Sequence, residues 1–298
     1  MASKHTNFLW KAIALAVAFV LSNGLACLAQ NDIRLVVTDR QTKKPLPYAT
    51  VWRVNTDEGT ATNESGVAVL RAKPSDSLRI SYVGYRSRVV PASARVDTIY
   101  LEEVQRQLGE VTVRSKKNKF ILGKTKIKRN YFISTSKSSP LYAKEFVKPN
   151  DELAFLTKVN VGVVTHGTKT CVFGIRVFEA IPGRPVPGKE ITDKPIFVRV
   201  FGHEVCSIKI PALPITTRRF YVAVQVIHME QNRVETKVTF PDEKSKRVEI
   251  NYNPSIYSVP DPDRQGIWIF YEKKQSWQRL PQPPERPHTL LMHCELTY

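Results

Sequence analysis

Three places in the sequence bring together side chains that could bind a metal ion. The densest is His203, Glu204 and Cys206, and the second is the pair His293 and Cys294. Both lie in predicted strands, where neighbouring residues point to opposite faces. We therefore do not expect His203 and Glu204 to face one metal ion, and His293 and Cys294 are excluded in the same way.

The third place is the loop of Asp261, Pro262 and Asp263, whose two carboxylates are the ligand type that calcium prefers. Calcium takes about six or more oxygen ligands, and no third or fourth acid lies nearby, so a solvent-exposed bend is the better interpretation. The sequence also lacks the Gly-x-Ser-x-Gly elbow of serine hydrolases. We predict no catalytic residue, no metal and no cofactor, and hence no enzyme; an unrecognised hydrolase is the alternative.

Three aromatic residues near the C-terminal end could present flat faces to a sugar. Trp268, Tyr271 and Trp277 are predicted on one hairpin. Trp268 and Phe270 share one face of their strand, whereas Tyr271 lies on the other. At least one of the two faces belongs to the core, so a glycan platform and a buried core are both open interpretations.

The cysteines after residue 30 are odd in number: Cys171, Cys206 and Cys294. Cys171 and Cys206 each lie in an apolar, strand-like run and could form a disulfide in an oxidising compartment. The alternative is three buried, reduced cysteines, because a free cysteine behaves as a small hydrophobic residue.

The first 29 residues are typical of a secretory signal. Two lysines precede an apolar run at residues 12–21, which is too short to span a bilayer as a helix. We predict cleavage after Ala29, which leaves Gln30 at the new N-terminus. The rival is cleavage before Cys27, which would give a lipoprotein. Both predict an exported protein of the periplasm or the outer-membrane surface.

Short alternating runs separated by turn residues fill residues 33–103. Leu35 and Val37 alternate with Val36 and Thr38, as in a strand with one buried face. Clusters of Asn, Asp, Ser and Gly mark the turns. About seven short strands at this spacing are typical of a small β-sandwich.

Five stretches of this region carry a family resemblance. They are Val37-Thr38-Asp39, Pro45-Leu46-Pro47-Tyr48, Asn63-Glu64-Ser65-Gly66, Tyr82-Val83-Gly84-Tyr85 and Leu108-Gly109-Glu110-Val111-Thr112-Val113. With them, the region from about residue 33 to 113 resembles the carboxypeptidase-regulatory-like domain, a transthyretin-like, seven-stranded sandwich common in exported proteins of gram-negative bacteria. The family more often has Asp in place of Glu64. The resemblance implies a domain at 30–113 without catalytic residues of its own.

TonB-dependent receptors begin with the same domain, and a segment like residues 108–113 often precedes their plug. The chain that follows Val113 is too short for the barrel of such a receptor. The resemblance therefore implies an accessory component of an uptake or secretion system rather than the receptor.

Positive charge is concentrated between the two halves of the chain. The net charge is +18, and residues 114–148 contain eleven Lys and Arg and a single acid. A solvated basic linker or an edge strand is the usual interpretation, and contact with anionic lipid or another polyanion is the functional alternative. The lysines that would make this contact are Lys116, Lys117, Lys119, Lys124, Lys126 and Lys128. Predicted export argues against nucleic acid as a partner.

Residues 149–298 are again β by pattern. The predicted strands are 153–164, 171–178, 196–200, 204–210, 219–227, 267–271 and 290–296. They predict a larger, jelly-roll-like sandwich. The order of Phe155, Val159, Ile175, Phe220 and Trp277 also resembles, more weakly, the sandwich that follows a regulatory-like domain in exported proteins of unassigned activity.

The sequence thus predicts an all-β protein in which a small seven-stranded transthyretin- or Ig-like sandwich precedes a larger jelly-roll-like one. The function expected is that of a non-catalytic envelope protein that binds or scaffolds an envelope protein, a glycan or an anionic lipid surface. An accessory component of a TonB-dependent system and a carbohydrate-binding module are the alternatives.

Overall fold

The computed structural model describes residues 31–93, 97–104, 118–123, 131–136, 141–167, 170–239 and 246–298. These residues form twenty-three strands and a single 3-10 turn, which confirms the all-β prediction. The predicted signal, with Cys27 and the cleavage site at Ala29 and Gln30, lies outside the described residues, as do Lys116, Lys117, Lys124, Lys126 and Lys128. In the described ranges, no helix has the length and apolar character needed to cross a membrane.

The first sandwich contains eight strands. They are β1 (Asn31–Asp39), β2 (Thr50–Arg53), β3 (Gly59–Ala61), β4 (Val67–Ala72), β5 (Ser77–Ser81), β6 (Tyr85–Arg86), β7 (Arg88–Pro91) and β8 (Thr98–Glu103). One sheet has the order β4-β1-β8-β6 and the other the order β3-β2-β5-β7. Only Ser87 separates β6 from β7, so a single run of chain passes from one sheet to the other, and the eight strands correspond to seven runs.

The core of the first sandwich follows from alternation. β4 buries every second residue, Ala68, Leu70 and Ala72, and exposes Val69 and Arg71. The buried side chains of both sheets meet in one cluster that includes Leu35, Val37, Val51, Ile80 and Leu101. Each sheet therefore keeps one face in the core and leaves the other for solvent or a partner.

The second sandwich contains fifteen strands. They are β9 (Lys119–Gly123), β10 (Tyr131–Ser136), β11 (Leu141–Val147), β12 (Ala154–Val164), β13 (Cys171–Ala180), β14 (Pro187–Glu190), β15 (Ile196–Val200), β16 (His203–Ile215), β17 (Arg219–Val226), β18 (Arg233–Thr239), β19 (Lys246–Pro260), β20 (Trp268–Tyr271), β21 (Ser276–Arg279), β22 (His288–Leu290) and β23 (Met292–Thr297). The 3-10 turn, Glu230–Asn232, lies between β17 and β18.

These strands form two sheets. One has the order β10-β19-β12-β23-β9, with β16 on β12 and both β18 and β22 on β19. The other has the order β14-β13-β17-β11-β20-β21, with β15 on β13. Side chains of both sheets, among them Leu156, Phe173 and Val222, share one core cluster.

The described parts of the basic region 114–148 include the strands β9, β10 and β11. β9 and β10 stand at the two ends of their sheet order. β11, in contrast, lies between β17 and β20 in the interior of the other sheet. The structure therefore assigns the described parts of this region to the second sandwich, because the apolar residues of Leu141–Val147 are needed to fill its core.

Candidate functional site

The two sandwiches are joined by a contact that we call the seam. On the first sandwich it involves β3, Trp52 and the loop around Gly84; on the second it involves residues 193–199 and the loop after β17. The Ala61 backbone N–H donates to the His228 carbonyl oxygen at 2.7 Å, and the Thr60 hydroxyl donates to the same oxygen at 3.2 Å. Because β3 is an edge strand, the second sandwich here covers backbone groups that an exposed edge would offer to other chains.

His228 lies at the centre of the seam between two aromatic rings. Its imidazole stacks on Tyr252 with centroids 4.3 Å apart, and the Trp52 ring packs at 5.2 Å. A Cβ at Gly59 would come within 2.4 Å of the Trp52 ring, so glycine is needed there for this ring to adopt its position. Burial lowers the pKa of His228 to about 3, and the imidazole is therefore neutral at physiological pH.

The loop that carries His228 is held by a buried amide. Asn232 donates to the carbonyl oxygens of Val172 at 2.7 Å and Ile227 at 2.8 Å, and its own side-chain oxygen accepts from the Val172 N–H at 3.0 Å. Among the described residues, neither ring nitrogen of His228 has a hydrogen-bond partner. The described contacts thus fix the backbone around His228 by hydrogen bonds and its ring by packing.

A second aromatic contact extends the seam. Phe197 of β15 packs edge-on against Tyr48 at 4.8 Å and lies 6.4 Å from Tyr82. Tyr48 also shares a buried cluster with Val172 and Ile227, so the apolar contact crosses from one sandwich to the other. Burial raises the pKa of Tyr82 to about 12.

Gly84 brings the backbones of the two sandwiches together. Its φ is +82°, and a Cβ at this position would lie 2.3 Å from the Asp193 carbonyl oxygen. The Tyr82-Val83-Gly84-Tyr85 stretch therefore contributes to the seam in two ways. The Tyr82 ring packs there, and Gly84 permits the close approach of the two backbones. The Glu64 and Arg199 side chains close its exposed rim with an ion pair.

The seam is mainly an apolar contact. Its polar contacts among the described residues include the hydrogen bonds of the Ala61 backbone and the Thr60 hydroxyl to His228, and the exposed ion pair of Glu64 and Arg199. Within the ranges that the structure describes, no group of three or more His, Cys, Asp or Glu residues could hold a metal ion. The arrangement can fix the orientation of one sandwich on the other.

The structure does not bring the three predicted platform rings onto one face. Trp268 is buried and packs with Tyr221 on the outer face of its sheet. Tyr271 packs against the main core on the opposite face, whereas Trp277 lies half-buried against Phe270. Trp268 and Tyr271 thus lie on opposite faces of their strand, and the glycan platform stays a prediction.

Cys171, Cys206 and Cys294 are buried in the main core cluster. Cys171 lies on β13 and Cys206 on β16, which belong to opposite sheets. The disulfide between them stays a prediction, which peptide mapping of the non-reduced protein would test. Burial raises the pKa of the Cys294 thiol, so this residue is kept in its unreactive, protonated form.

The remaining predicted site residues are scattered. Lys119 begins β9 and is exposed. His203 and Glu204 open β16, and nothing is described of their side chains. His293 and Cys294 occupy adjacent positions of β23, where their burial pattern alternates as expected for opposite faces.

Charged residues buried inside β11 were missed by sequence reasoning. The Lys144 ammonium donates to the carbonyl oxygens of Leu290 at 3.1 Å and Met292 at 3.0 Å. The neighbouring Glu145, only 2% exposed, points to the other face and pairs with Arg219. The sequence does carry a signal for these buried charges, because Lys144 and Glu145 interrupt an apolar run. The many lysines and arginines around this run made the region look solvent-exposed.

Just beyond β11, Lys148 is also fully buried. Its ammonium donates to the Ile215 carbonyl oxygen at 2.9 Å and to that of Glu152, and burial lowers its pKa. These contacts tie the end of β11 to β16, so the charge of Lys148 serves an internal connection.

Two comparisons with known proteins rest on sequence similarity. Residues 35–113 match the model of the CarboxypepD_reg-like domain family. A stretch of 110 residues is 29% identical to the TonB-dependent receptor SusC of Bacteroides thetaiotaomicron. That alignment covers 37% of this chain and only 11% of the receptor.

Similarity to solved structures is remote. Two structures of the clostridial surface-layer-associated cysteine protease Cwp84 align over 90% of this chain with TM-scores of 0.38 and 0.35 and 8% identity. They are a form after propeptide cleavage and the protease with its lectin-like domain, of which 70% and 63% are covered. Similarity at this level assigns neither a fold nor an activity.

The family match coincides with the first sandwich. It begins within β1 and includes the turn at Asn63, the Tyr82–Tyr85 stretch that packs at the seam and all strands up to β8. Residues 35–113 are therefore a CarboxypepD_reg-like domain.

Proposed function

We propose that this protein is a non-catalytic accessory component of a TonB-dependent system of the bacterial envelope. The CarboxypepD_reg-like domain would dock on the partner, and the second sandwich would hold that domain in a defined orientation. The family match at residues 35–113 and the similarity of a 110-residue stretch to a TonB-dependent receptor support the proposal.

The observation that carries the proposal is the seam. A domain used only as a flexible spacer would need no more than a linker, whereas here an edge strand, a stack of aromatic rings and a close backbone approach at Gly84 join the two sandwiches. The outer face of the β4-β1-β8-β6 sheet remains exposed, with Val69 at 52% and Tyr100 at 40% exposure. The fold thus presents this face at a constant angle to the second sandwich.

The absence of catalysis is part of the proposal. The seam histidine is neutral and enclosed by rings, and the Cys294 thiol is buried in the core. A nucleophile or general base requires a titratable group that substrate can reach. Export, with cleavage after Ala29, and a location at the periplasmic or outer-membrane surface are proposed with it.

Site-specific photo-crosslinking in the native bacterium would test the proposal. A photoreactive amino acid at Val69 samples the outer face of the first sandwich, and one at Leu153, 39% exposed, samples the second. We expect the Val69 probe to crosslink to a TonB-dependent receptor and the Leu153 probe to crosslink to it much less. Mass spectrometry of the same sample should find Gln30 at the N-terminus.

Two results would refute this function. One is a Val69 probe that crosslinks only to cytoplasmic proteins in a chain that retains its first 29 residues. The other is a receptor crosslink of equal yield from Leu153, because the first domain would then have no special role in docking.

A further inference from the structure

A cleft of about 490 Å³ opens on the outer face of the first sandwich. Its walls carry four cationic side chains, one aromatic ring and one carboxylate: Arg40, Lys43, Arg86, Arg88, Tyr100 and Glu102. We call it the arginine cleft. None of these residues belongs to the basic region 114–148.

Strand pairing explains why these distant residues meet. β6 and β8 are antiparallel neighbours in which Arg86 lies opposite Glu102. Tyr100 lies two residues before Glu102 and so points to the same face. Arg88 follows Ser87, where the chain leaves one sheet for the other, and Arg40 and Lys43 come from the loop after β1.

That loop is held in place by Asp39. One carboxylate oxygen of Asp39 accepts the backbone N–H of Gln41 at 2.9 Å and of Thr42 at 2.5 Å, together with the Thr42 hydroxyl at 2.9 Å. The other oxygen accepts the Tyr85 hydroxyl at 2.9 Å. The hydrogen bond from the Thr42 backbone is the largest cause of a lowered pKa at Asp39, so the ionised form that makes all these bonds is favoured. Arg40 and Lys43 are therefore positioned before any ligand arrives.

The charges of the cleft do not balance. Arg40 pairs with Glu102, and the Lys43 ammonium lies 4.4 Å from the centroid of the Tyr100 ring. Arg88 makes only a long contact, 3.5 Å, to the Tyr100 carbonyl oxygen. Among the described residues, no carboxylate forms an ion pair with Arg86 or Arg88. Four cations facing one anion leave an uncompensated positive charge.

We propose that the arginine cleft binds a phosphomonoester carried on a sugar-sized body. A phosphomonoester has a charge of about −1.5 to −2 at neutral pH and offers three acceptor oxygens. Two guanidinium groups can each donate two parallel hydrogen bonds to it. The cleft volume is in the range of about 300 to 1,000 Å³ that suits a small ligand, with room for the group that bears the phosphate.

This inference goes beyond the accessory function and does not depend on it. A soluble sugar phosphate and the phosphorylated headgroup of a lipid share the same chemistry. The Ser87 hydroxyl, which also lines the cleft, is available to either.

Calorimetric titration of the full chain with glucose 1-phosphate tests the proposal, with glucose and glucuronate as probes that lack the phosphate. We compare the double variant Arg86→Gln/Arg88→Gln with the control Arg34→Gln/Arg71→Gln. The control removes the same charge from exposed positions of the sheet that contains Arg86, outside the cleft. We expect the cleft variant to lose roughly tenfold or more in affinity and the control less than about twofold, because hydrogen bonds between charged groups are the strong ones. Arg86→Lys/Arg88→Lys, which keeps the charge but not the fork of donors, should fall between them.

Binding to vesicles distinguishes a lipid headgroup from a soluble sugar phosphate as the ligand. Vesicles with phosphatidate present a phosphomonoester, whereas those with phosphatidylglycerol present a diester of lower charge. Binding of glucose 1-phosphate assigns a soluble source, and binding of phosphatidate vesicles alone assigns a lipid headgroup; both support the cleft. The proposal is overturned if neither probe binds, if glucose binds as well as its phosphate, or if both double variants lose affinity equally. All of these variants change exposed side chains, and circular dichroism checks that each is folded.

Discussion

The two sandwiches differ in where they place charged side chains. In the first, buried and exposed residues alternate, and the arginines stand on the solvent face around a cleft. In the second, strands such as β17 are buried on both faces, and Lys144, Glu145 and Lys148 lie inside the fold with polar partners. The difference teaches that positive charge in one chain can serve two purposes: internal connection where it is buried and, as we propose for the arginine cleft, recognition where it faces water.

The largest effect should come from breaking an internal ion pair of the second sandwich. Arg219→Met leaves the carboxylate of Glu145 buried without its cation, and we expect the free energy of unfolding to fall by about 4 kcal/mol. Urea denaturation followed by circular dichroism measures this loss.

The matching change in the first sandwich is Arg71→Met, which removes an exposed pair with Asp32. It should lower the free energy of unfolding by less than about 1 kcal/mol. Equal losses in the two variants would mean that the sandwiches do not differ in how they use charge.

The next effect concerns the seam. Gly84→Ala introduces a Cβ that meets the Asp193 carbonyl oxygen, in addition to an unfavourable positive φ. We expect a loss of about 3 kcal/mol and faster proteolysis between the sandwiches, since overpacking and backbone strain add. Thermal unfolding and limited proteolysis give the two readouts.

Gly167→Ala is the matched control for this change. Gly167 has the same φ of +82°, but apart from its chain neighbours no atom of the described residues lies within 4 Å of where its Cβ would be. Replacing it with alanine should lower the free energy of unfolding only through the unfavourable positive φ, by about 1 kcal/mol. If both variants behave alike, the close approach at Gly84 does not hold the seam together.

The seam should also make stability depend on pH. The pKa of His228 is lowered to about 3 in the folded protein from its ordinary value of 6.5. As the pH falls below 6.5, the unfolded chain therefore binds a proton at His228 that the folded protein does not bind. Proton binding favours the unfolded state, so the free energy of unfolding decreases. Between pH 6 and 4 the loss should be roughly 1 kcal/mol per pH unit.

His228→Phe keeps a ring between Trp52 and Tyr252 but removes the titrating group. Urea midpoints from pH 4 to 7 should therefore fall less steeply for this variant. Phe197→Leu, a change at the seam that does not titrate, should lower stability by the same amount at every pH. An unchanged pH slope in His228→Phe would show that His228 is accessible to protons in the folded state.

The smallest effect belongs to the rim of the seam. Arg199→Gln removes the partner of Glu64, and both side chains are more than half exposed. We expect a change of less than about 0.5 kcal/mol, reduced further by salt. A larger loss would mean that the ion pair of Glu64 and Arg199 stabilises the seam more than its aromatic rings do.

Much of the fold could be predicted from patterns along the chain. The alternation in β4 and the turn residues before it are local signals, and they located the first sandwich. β19, the longest strand, was missed because Pro254 and several polar residues interrupt it. The register of β10 on β19 shifts between Ile133 and Thr135, opposite the stretch that contains Pro254, so the missing N–H falls where the ladder is irregular.

The sites were less predictable because they depend on tertiary contacts. Gly84 was identified as part of a family signature, but its sequence does not show that Asp193 lies against it. The arginine cleft joins residues as far apart as Arg40 and Glu102, which the pairing of β1 with β8 brings together. His228 has no local signal, since its burial comes from rings on two different sandwiches.

Spin labels on the two sandwiches test the central claim, that the seam holds the CarboxypepD_reg-like domain in one orientation. Val69→Cys and Leu153→Cys place labels on exposed sites of the first and second sandwich, while the native cysteines after residue 30 are buried. Val69→Cys with Val89→Cys, both within the first sandwich, is the control pair. Double electron–electron resonance should give a single distance peak between the sandwiches, as narrow as that of the control. A broad or multiple distribution for the Val69 and Leu153 pair alone would contradict the account.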